Sequence, residues 1–319
     1  MREPPQHRPD RVVVCLPDIP ERTLMGDLPG NAELVLMPPA PAPVPDLSGV
    51  ELIVPWSEAR QPLLDLLVRP PGARKLRVIQ TLSAGVNFLA GHVPEGVVVC
   101  NARGVYDGPL AEWVVGGILA MQRGFVRARD AQARGEWTAF EPPELAGRHV
   151  VILGFGSIGT AVAERLRPFG VQVTGIARTA RPGALGMGDL DEVLPRAEIL
   201  VDLLPLTSET AGLLDARRLG LLPDGALLVN AGRGRTVVTD ALVEELRRDR
   251  LRAVLDVTDP EPLPAGHPLW ALPNVLVSPH IAGDSPDAMR RTFALAGDQV
   301  RRFAAGEPLI NEVPRYLLA

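Results

Sequence analysis

The run Val150–Leu166, VVILGFGSIGTAVAERL, limits what this chain can fold into more than any other stretch. A short apolar run rich in β-branched residues leads into Gly154, Gly156 and Gly159, and then into a segment with apolar residues at helical spacing. A strand that turns into a helix through G-x-G-x-x-G spacing has a specific physical logic. The first glycine permits a tight turn. The second lets backbone come close to a pyrophosphate, and the third lets the helix pack on the strand. The free N–H groups of the first helical turn, at Ser157 and Ile158, then meet phosphate oxygens at the positive end of the helix dipole. A glycine-rich turn without a ligand is the competing reading. The strand before and the helix after favour the dinucleotide.

A dinucleotide-binding unit of this kind commonly carries an acidic residue about 20 positions on, where it accepts hydrogen bonds from the adenosine ribose. Here the second strand ends in VTGIARTAR, with Arg178 standing 19 positions after Gly159 (178 − 159) and Arg181 close behind. A carboxylate at that place repels a 2′-phosphate, whereas a guanidinium grips one with its planar fork. Arg178, with Arg181 and Thr179, therefore points to NADP(H) as the preferred cofactor. NAD(H), bound through backbone contacts past a solvated Arg178, is the alternative.

The rest of the chain alternates in the same way. Strands are read at RVVVCLP, ELIVPW, LRVIQT and GVVVCN, separated by helical stretches such as SEARQPLLDLLV. The proline-rich MPPAPAPVP, residues 37–45, is a loop. Residues 108–137 read as one long helix with Pro109 in its first turn, apolar enough to be buried in a core or against a second subunit. From Arg148 a second alternation begins, with strands at HVVILG, VQVTGIA, EILVDLLP, GALLVNAG, LRAVLDV and NVLVSPH. It closes on a long amphipathic helix, residues 285–307, expected to cross back to the first domain. The expected fold is α/β: two Rossmann-like βα domains with parallel sheets and the active site in the cleft between them. Residues 1–101 and 286–319 would form the substrate-binding domain, and 102–285 the NAD(P)-binding domain.

Composition narrows the class of partner. With 33 basic against 38 acidic residues, a net charge of −5, the chain offers no general surface for nucleic acid or anionic lipid. No run of about 18 apolar residues suits a membrane span, and MREPPQHRPDR lacks the apolar core of a signal peptide. Cys15 and Cys100 both lie in apolar strand-like runs, as buried thiols of a cytoplasmic protein would. No metal-ligand cluster is evident.

Three further stretches carry chemistry. VNAGRG places Arg233 in a glycine-bounded loop after a strand. LDVTDPEPLP places Asp256 at a strand end and Glu261 in a loop stiffened by prolines, and NVLVSPHIAG places His280 after another strand. All three follow the carboxyl ends of strands, where ligands bind in open α/β sheets. Reducing a ketone develops negative charge on oxygen and calls for a proton donor. Histidine suits that role near neutral pH, with a carboxylate to orient it. An arginine can hold a substrate carboxylate through two bonds. Each residue singly has a structural reading; together on one sheet edge they favour catalysis.

At this point the sequence resembles the D-isomer-specific 2-hydroxyacid dehydrogenases, which include glyoxylate and hydroxypyruvate reductases. The stretches that carry the likeness are TLSAGVNFL, NARGVYDGPLAEW, ILGFGSIG, LLPLTSETAGLLDA, LLVNAGRG, LDVTDPEPLP and LPNVLVSPHIAG. The resemblance implies that Arg233 binds the substrate carboxylate and that His280, assisted by Glu261, is the acid/base. It implies that Ser83, Ala84 and Gly85 bind substrate, with the backbone N–H groups of Ala84 and Gly85 cradling the same carboxylate. Pro205, Thr207, Thr210, Ala231, Asp256, His280 and Gly283 would line the cofactor, Asp256 on the nicotinamide carboxamide. Leu82, Tyr106 and Trp137 are candidate walls of the substrate pocket. A homodimer joined through the region after Gly108 is expected. The activity expected is reduction of a small 2-oxo acid to the D-2-hydroxy acid with NADPH. An NAD-linked dehydrogenase working oxidatively and a non-catalytic NAD(P)-sensing interaction protein are the alternatives.

Overall fold

The computed structural model describes residues 10–39, 42–56, 63, 64, 67 and 74–318. The chain divides into two compact units: Met1–Tyr106 together with Ser285–Ala319, and Asp107–Asp284.

The first unit is built on a five-stranded parallel sheet in the order β2-β1-β3-β4-β5. Its strands are β1 (Val12–Pro17), β2 (Ala32–Met37), β3 (Leu52–Ile53), β4 (Val78–Gln80) and β5 (Val98–Cys100). Four of these coincide with expected strands. β2 was not expected: it is the edge strand, with only Met37 buried, so its AELVLM does not read as a continuous apolar run. The helix expected at SEARQPLLDLLV lies largely outside the described residues. The long helix Pro286–Ala305 belongs to this unit. It is capped by Ser285, whose hydroxyl accepts from Ala288 N–H, and it ends at Gly306 in the left-handed region. Its apolar face, Phe293, Ala296, Val300 and Phe303, packs on Val12, Val14, Leu16 and Leu52.

The second unit has a seven-stranded sheet in the order β12-β11-β10-β9-β6-β7-β8, parallel throughout. The strands are β6 (His149–Leu153), β7 (Gln172–Ala177), β8 (Leu185–Gly186), β9 (Ile199–Asp202), β10 (Ala226–Asn230), β11 (Leu251–Leu255) and β12 (Val275–Val277). Alternate residues enter two cores, Val151 and Leu153 on one face and Val150 and Ile152 on the other. Both faces are covered, which is why these strands read as unbroken apolar runs. The chain leaves β6 in one direction and β9 starts off in the other, so the carboxyl ends of β6 and β9 form the switch point at which such sheets bind ligands.

The single helix expected over 108–137 is two. The first, Asp107–Gln122, ends before Gly124, which sits in the left-handed region at φ 69°. The second runs over Phe125–Ala133. The Phe140 ring occupies the place of a Cβ on Gly124, 2.3 Å away, so only glycine fits this bend. Among the described residues, no helix is long and apolar enough to cross a membrane.

Candidate active site

The glycine loop after β6 divides its three glycines by role. Gly154 lies at φ 83°, and a Cβ there would meet the Leu203 carbonyl oxygen at 2.8 Å. A Cβ on Gly159 would meet the Gly154 carbonyl oxygen at 2.8 Å. These two are required by the protein's own packing. Gly156 is different: nothing stands within 4 Å of where its Cβ would be. It is the N-cap of the helix Ser157–Leu166, and no side chain caps the first turn. The donors at Ser157 and Ile158 thus open on a space that backbone can line closely, which fits a pyrophosphate.

Beyond β7 the chain turns outward, and Arg178, Thr179 and Arg181 are exposed. Arg181 folds back on the glycine loop and donates to the Phe155 carbonyl. Its guanidinium therefore braces that loop, and Arg178 is the residue at the tip. After β9, the loop that carries Pro205 and Thr207 is closed internally. The Thr210 hydroxyl donates to the Pro205 carbonyl at 2.6 Å and accepts from Thr207 N–H at 2.8 Å. Thr210 is buried, so its hydroxyl shapes the loop rather than facing outward.

Arg233 follows β10 between two glycines, and neither can be replaced without moving backbone. A Cβ on Gly232 would meet Leu204 N at 2.8 Å, and one on Gly234 would meet the Thr258 carbonyl oxygen at 1.9 Å. The loop is pinned by Asn230, whose Oδ1 accepts from Gly232 N–H while its Nδ2 donates to the Arg233 carbonyl. The half-buried Arg233 side chain donates from Nη1 to the Gly232 carbonyl at 2.6 Å. Ala231, next to this loop, is buried.

Asp256 ends up as the organiser of the next turn. Its carboxylate accepts from Ser278 Oγ at 2.6 Å, Ile281 N at 2.9 Å and Ala282 N at 2.8 Å. Its carbonyl accepts from His280 N. These bonds force the chain round His280, which adopts the left-handed region at φ 54°. A non-glycine residue there is uncommon and often marks a functional site. His280 Nδ1 lies 2.5 Å from Glu261 Oε1. Glu261 stands between two cis peptide bonds, Asp259–Pro260 and Glu261–Pro262. The His280 Nε2 makes no hydrogen bond among the described residues and is open for a ligand. Gly283, two residues after Ile281, is half-buried.

In the other unit, the loop after β4 turns its carbonyls inward. Ser83 O accepts from Ala102 N and Thr81 Oγ1, Ala84 O from Asn101 Nδ2, and Gly85 O from Ser83 Oγ. The N–H groups of Ala84 and Gly85 have no partner among the described residues, so the loop presents donors. Leu82 is tied down through its carbonyl by the hydroxyls of Tyr106 at 2.5 Å and Thr292 at 2.9 Å. Trp137, expected as a pocket wall, is fully exposed in the single chain.

One functional candidate escaped the sequence. Asp202, the last residue of β9, is wholly buried beneath the Arg233 loop and hydrogen-bonded to Thr236. The signal that could have found it is the single acid in the apolar run ILVDLLP.

A doubly wound parallel sheet with a glycine loop at its switch point and a histidine–carboxylate pair on the same edge defines a nicotinamide-dinucleotide oxidoreductase. Residues 115–282 match the family model described as D-isomer specific 2-hydroxyacid dehydrogenase, NAD binding domain. The chain is 36% identical over 253 residues to a glyoxylate reductase from Thermofilum pendens, covering 74% of each chain. It is 32% identical over 267 residues to a human glyoxylate reductase/hydroxypyruvate reductase, covering 78% of this chain and 80% of the other. It also resembles the crystal structure of an NADPH-dependent glyoxylate/hydroxypyruvate reductase from Sinorhizobium meliloti in complex with NADP and sulfate. There the TM-score is 0.82 at 29% identity, over 97% of this chain and 100% of that one. The chain belongs to the D-isomer-specific 2-hydroxyacid dehydrogenase family and is an NAD(P)-dependent oxidoreductase.

Proposed function

We propose that this protein reduces a small 2-oxo acid of the glyoxylate or hydroxypyruvate kind to the D-2-hydroxy acid, with NADPH as the preferred reductant. The observation that carries the reading is the His280–Glu261 pair, 2.5 Å apart, with Nε2 left open. The Glu261 carboxylate accepts a hydrogen bond from Nδ1–H and so fixes the ring with its other nitrogen left for substrate. In its charged form the ring donates from Nε2 to the oxygen on which negative charge develops. Arg233 holds the substrate carboxylate through its guanidinium, and the loop that carries Ala84 and Gly85 offers N–H donors suited to an anion. The reduced nicotinamide, when bound, supplies the hydride. Arg178 at the tip after β7 supports a preference for the 2′-phosphate of NADPH, with Arg181 steadying the glycine loop beneath it.

The test is kcat/KM for glyoxylate, hydroxypyruvate and pyruvate with each cofactor, in wild type and in Arg178→Asp. One charge-assisted hydrogen bond corresponds to a preference of roughly ten- to a hundredfold for NADPH. Arg178→Asp should reverse it. Absence of turnover with every 2-oxo acid would reject the reading, and an NADH preference in wild type would reject the cofactor assignment.

A further inference from the structure

Beneath the Arg233 loop three oxygens lie in a row. Asp202 Oδ2 is 2.5 Å from Thr236 Oγ1, and Thr236 Oγ1 is 2.6 Å from the Arg233 carbonyl oxygen. A threonine hydroxyl has one proton to give. A carboxylate and a carbonyl both only accept. With Asp202 ionised, the hydroxyl can serve one of its two neighbours and must abandon the other. With Asp202 neutral, both contacts are satisfied: the carboxyl O–H donates to Thr236, and Thr236 donates to Arg233 O. The second carboxyl oxygen fits the same assignment, since Oδ1 accepts from Leu204 N–H at 3.0 Å as a carbonyl-type oxygen would.

We propose that Asp202 is a proton-carrying positioning residue for Arg233, whose neutral form completes the hydrogen-bonded row that holds the substrate-binding loop. This rests on Arg233 being the carboxylate binder. Ionisation releases the proton to solvent and draws the Thr236 hydroxyl to the new carboxylate. The Arg233 carbonyl then loses its 2.6 Å contact and keeps the longer ones from Asn230 Nδ2 and Thr236 N, each at 3.2 Å. Substrate binding through Arg233 weakens as pH rises.

The surroundings favour the neutral form. Asp202 has no exposed surface, and burial pushes its carboxyl up to about 6 against the lowering effect of the Thr236 and Leu204 bonds. On the flanking strands its register partners are the apolar Leu153 and the uncharged Asn230. Of the nearby charged groups, the Arg233 guanidinium turns back to the Gly232 carbonyl, Arg235 is exposed, and Asp256 is held by its own three donors. No ion pair with Asp202 is present among the described residues.

Asparagine imitates the neutral acid, with Oδ1 accepting from Leu204 and Nδ2 donating to Thr236. The experiment measures kcat and KM for glyoxylate with NADPH from pH 5 to 8.5 in wild type, Asp202→Asn and Thr236→Val. Wild-type KM should climb about three- to tenfold across this interval, the range of one neutral hydrogen bond. Asp202→Asn should lack that climb and hold the wild type's low-pH value, with a kcat profile parallel to wild type. Thr236→Val should show a raised KM throughout. Parallel KM profiles in wild type and Asp202→Asn overturn the proposal. A second readout is independent of turnover: the side-chain carboxyl carbon of Asp202, labelled with 13C and assigned by its loss in Asp202→Asn. Titration near pH 6 supports the proposal, and titration in the ordinary aspartate range overturns it. Should wild type reduce no 2-oxo acid, the proposed function fails while this carboxyl titration still decides whether Asp202 carries the proton.

Discussion

His280, Glu261 and Arg233 were readable as candidates because each follows a strand end in a loop bounded by glycine or proline, and the structure pairs the first two. What the sequence could not show is how they are held. His280 owes its left-handed backbone to three donors gathered by Asp256, residues that lie 22 to 26 positions from it in the chain. Asp202 and Thr236 are 34 positions apart and meet only because β9 and β10 are neighbours. These contacts fix what substitutions should do. His280→Ala should lose roughly 10²–10⁴-fold in kcat, the worth of a positioned proton donor, with NADPH binding retained. Arg233→Ala should raise KM for the 2-oxo acid by roughly tenfold or more, as a lost charge-assisted bond would. Steady-state kinetics alongside NADPH fluorescence titration separates the two effects. Near-normal turnover in either variant removes that residue from its role.

Among the elements, the βαβ alternation was readable because buried parallel strands leave apolar runs and turns leave glycines. The break at Gly124 was not, since its cause is a ring sixteen positions on (140 − 124) that packs against the glycine. Nor was the division among glycines, which depends on what each faces in three dimensions. Gly156 and Gly234 make the contrast measurable. Gly156 has an ordinary backbone, φ −93° and ψ −151°, and open space at its Cβ position. Gly156→Ala should therefore unfold within a few degrees of wild type and yet bind NADPH at least about tenfold more weakly, its methyl standing where backbone approaches the pyrophosphate. Gly234→Ala drives a methyl into the Thr258 carbonyl, so it should lower the melting temperature and disorder the Arg233 loop with it. Equal melting temperatures for Gly234→Ala and wild type would show that this backbone yields easily. Unimpaired NADPH binding by Gly156→Ala would move the pyrophosphate elsewhere.

For the molecule as a whole, one buried acid couples folding to pH. Its effect was hidden in the sequence, because Asp202 is charged by type and becomes wholly buried only once β6 and β10 close on either side of β9. The folded value of about 6 lies above the ordinary 3.8, so between them the folded chain holds a proton that the unfolded chain has released. The contribution of neutral Asp202 is complete below about pH 4 and is lost as pH rises through 6. The interval corresponds to about 3 kcal/mol of stability, at 1.36 kcal/mol for each pKa unit. Asp202→Asn keeps an uncharged group in the same place and removes this dependence, whereas every other titrating group is common to both proteins. The difference in unfolding free energy, Asp202→Asn minus wild type, should therefore grow by about 2 kcal/mol from pH 4 to pH 7.5 and level off above. Urea unfolding at a series of pH values measures it directly, because unequal effects on all other groups cancel in the difference. A difference that stays constant over that range would mean that Asp202 is ionised in the folded protein throughout, and that the Thr236 hydroxyl is committed to its carboxylate rather than to the Arg233 loop.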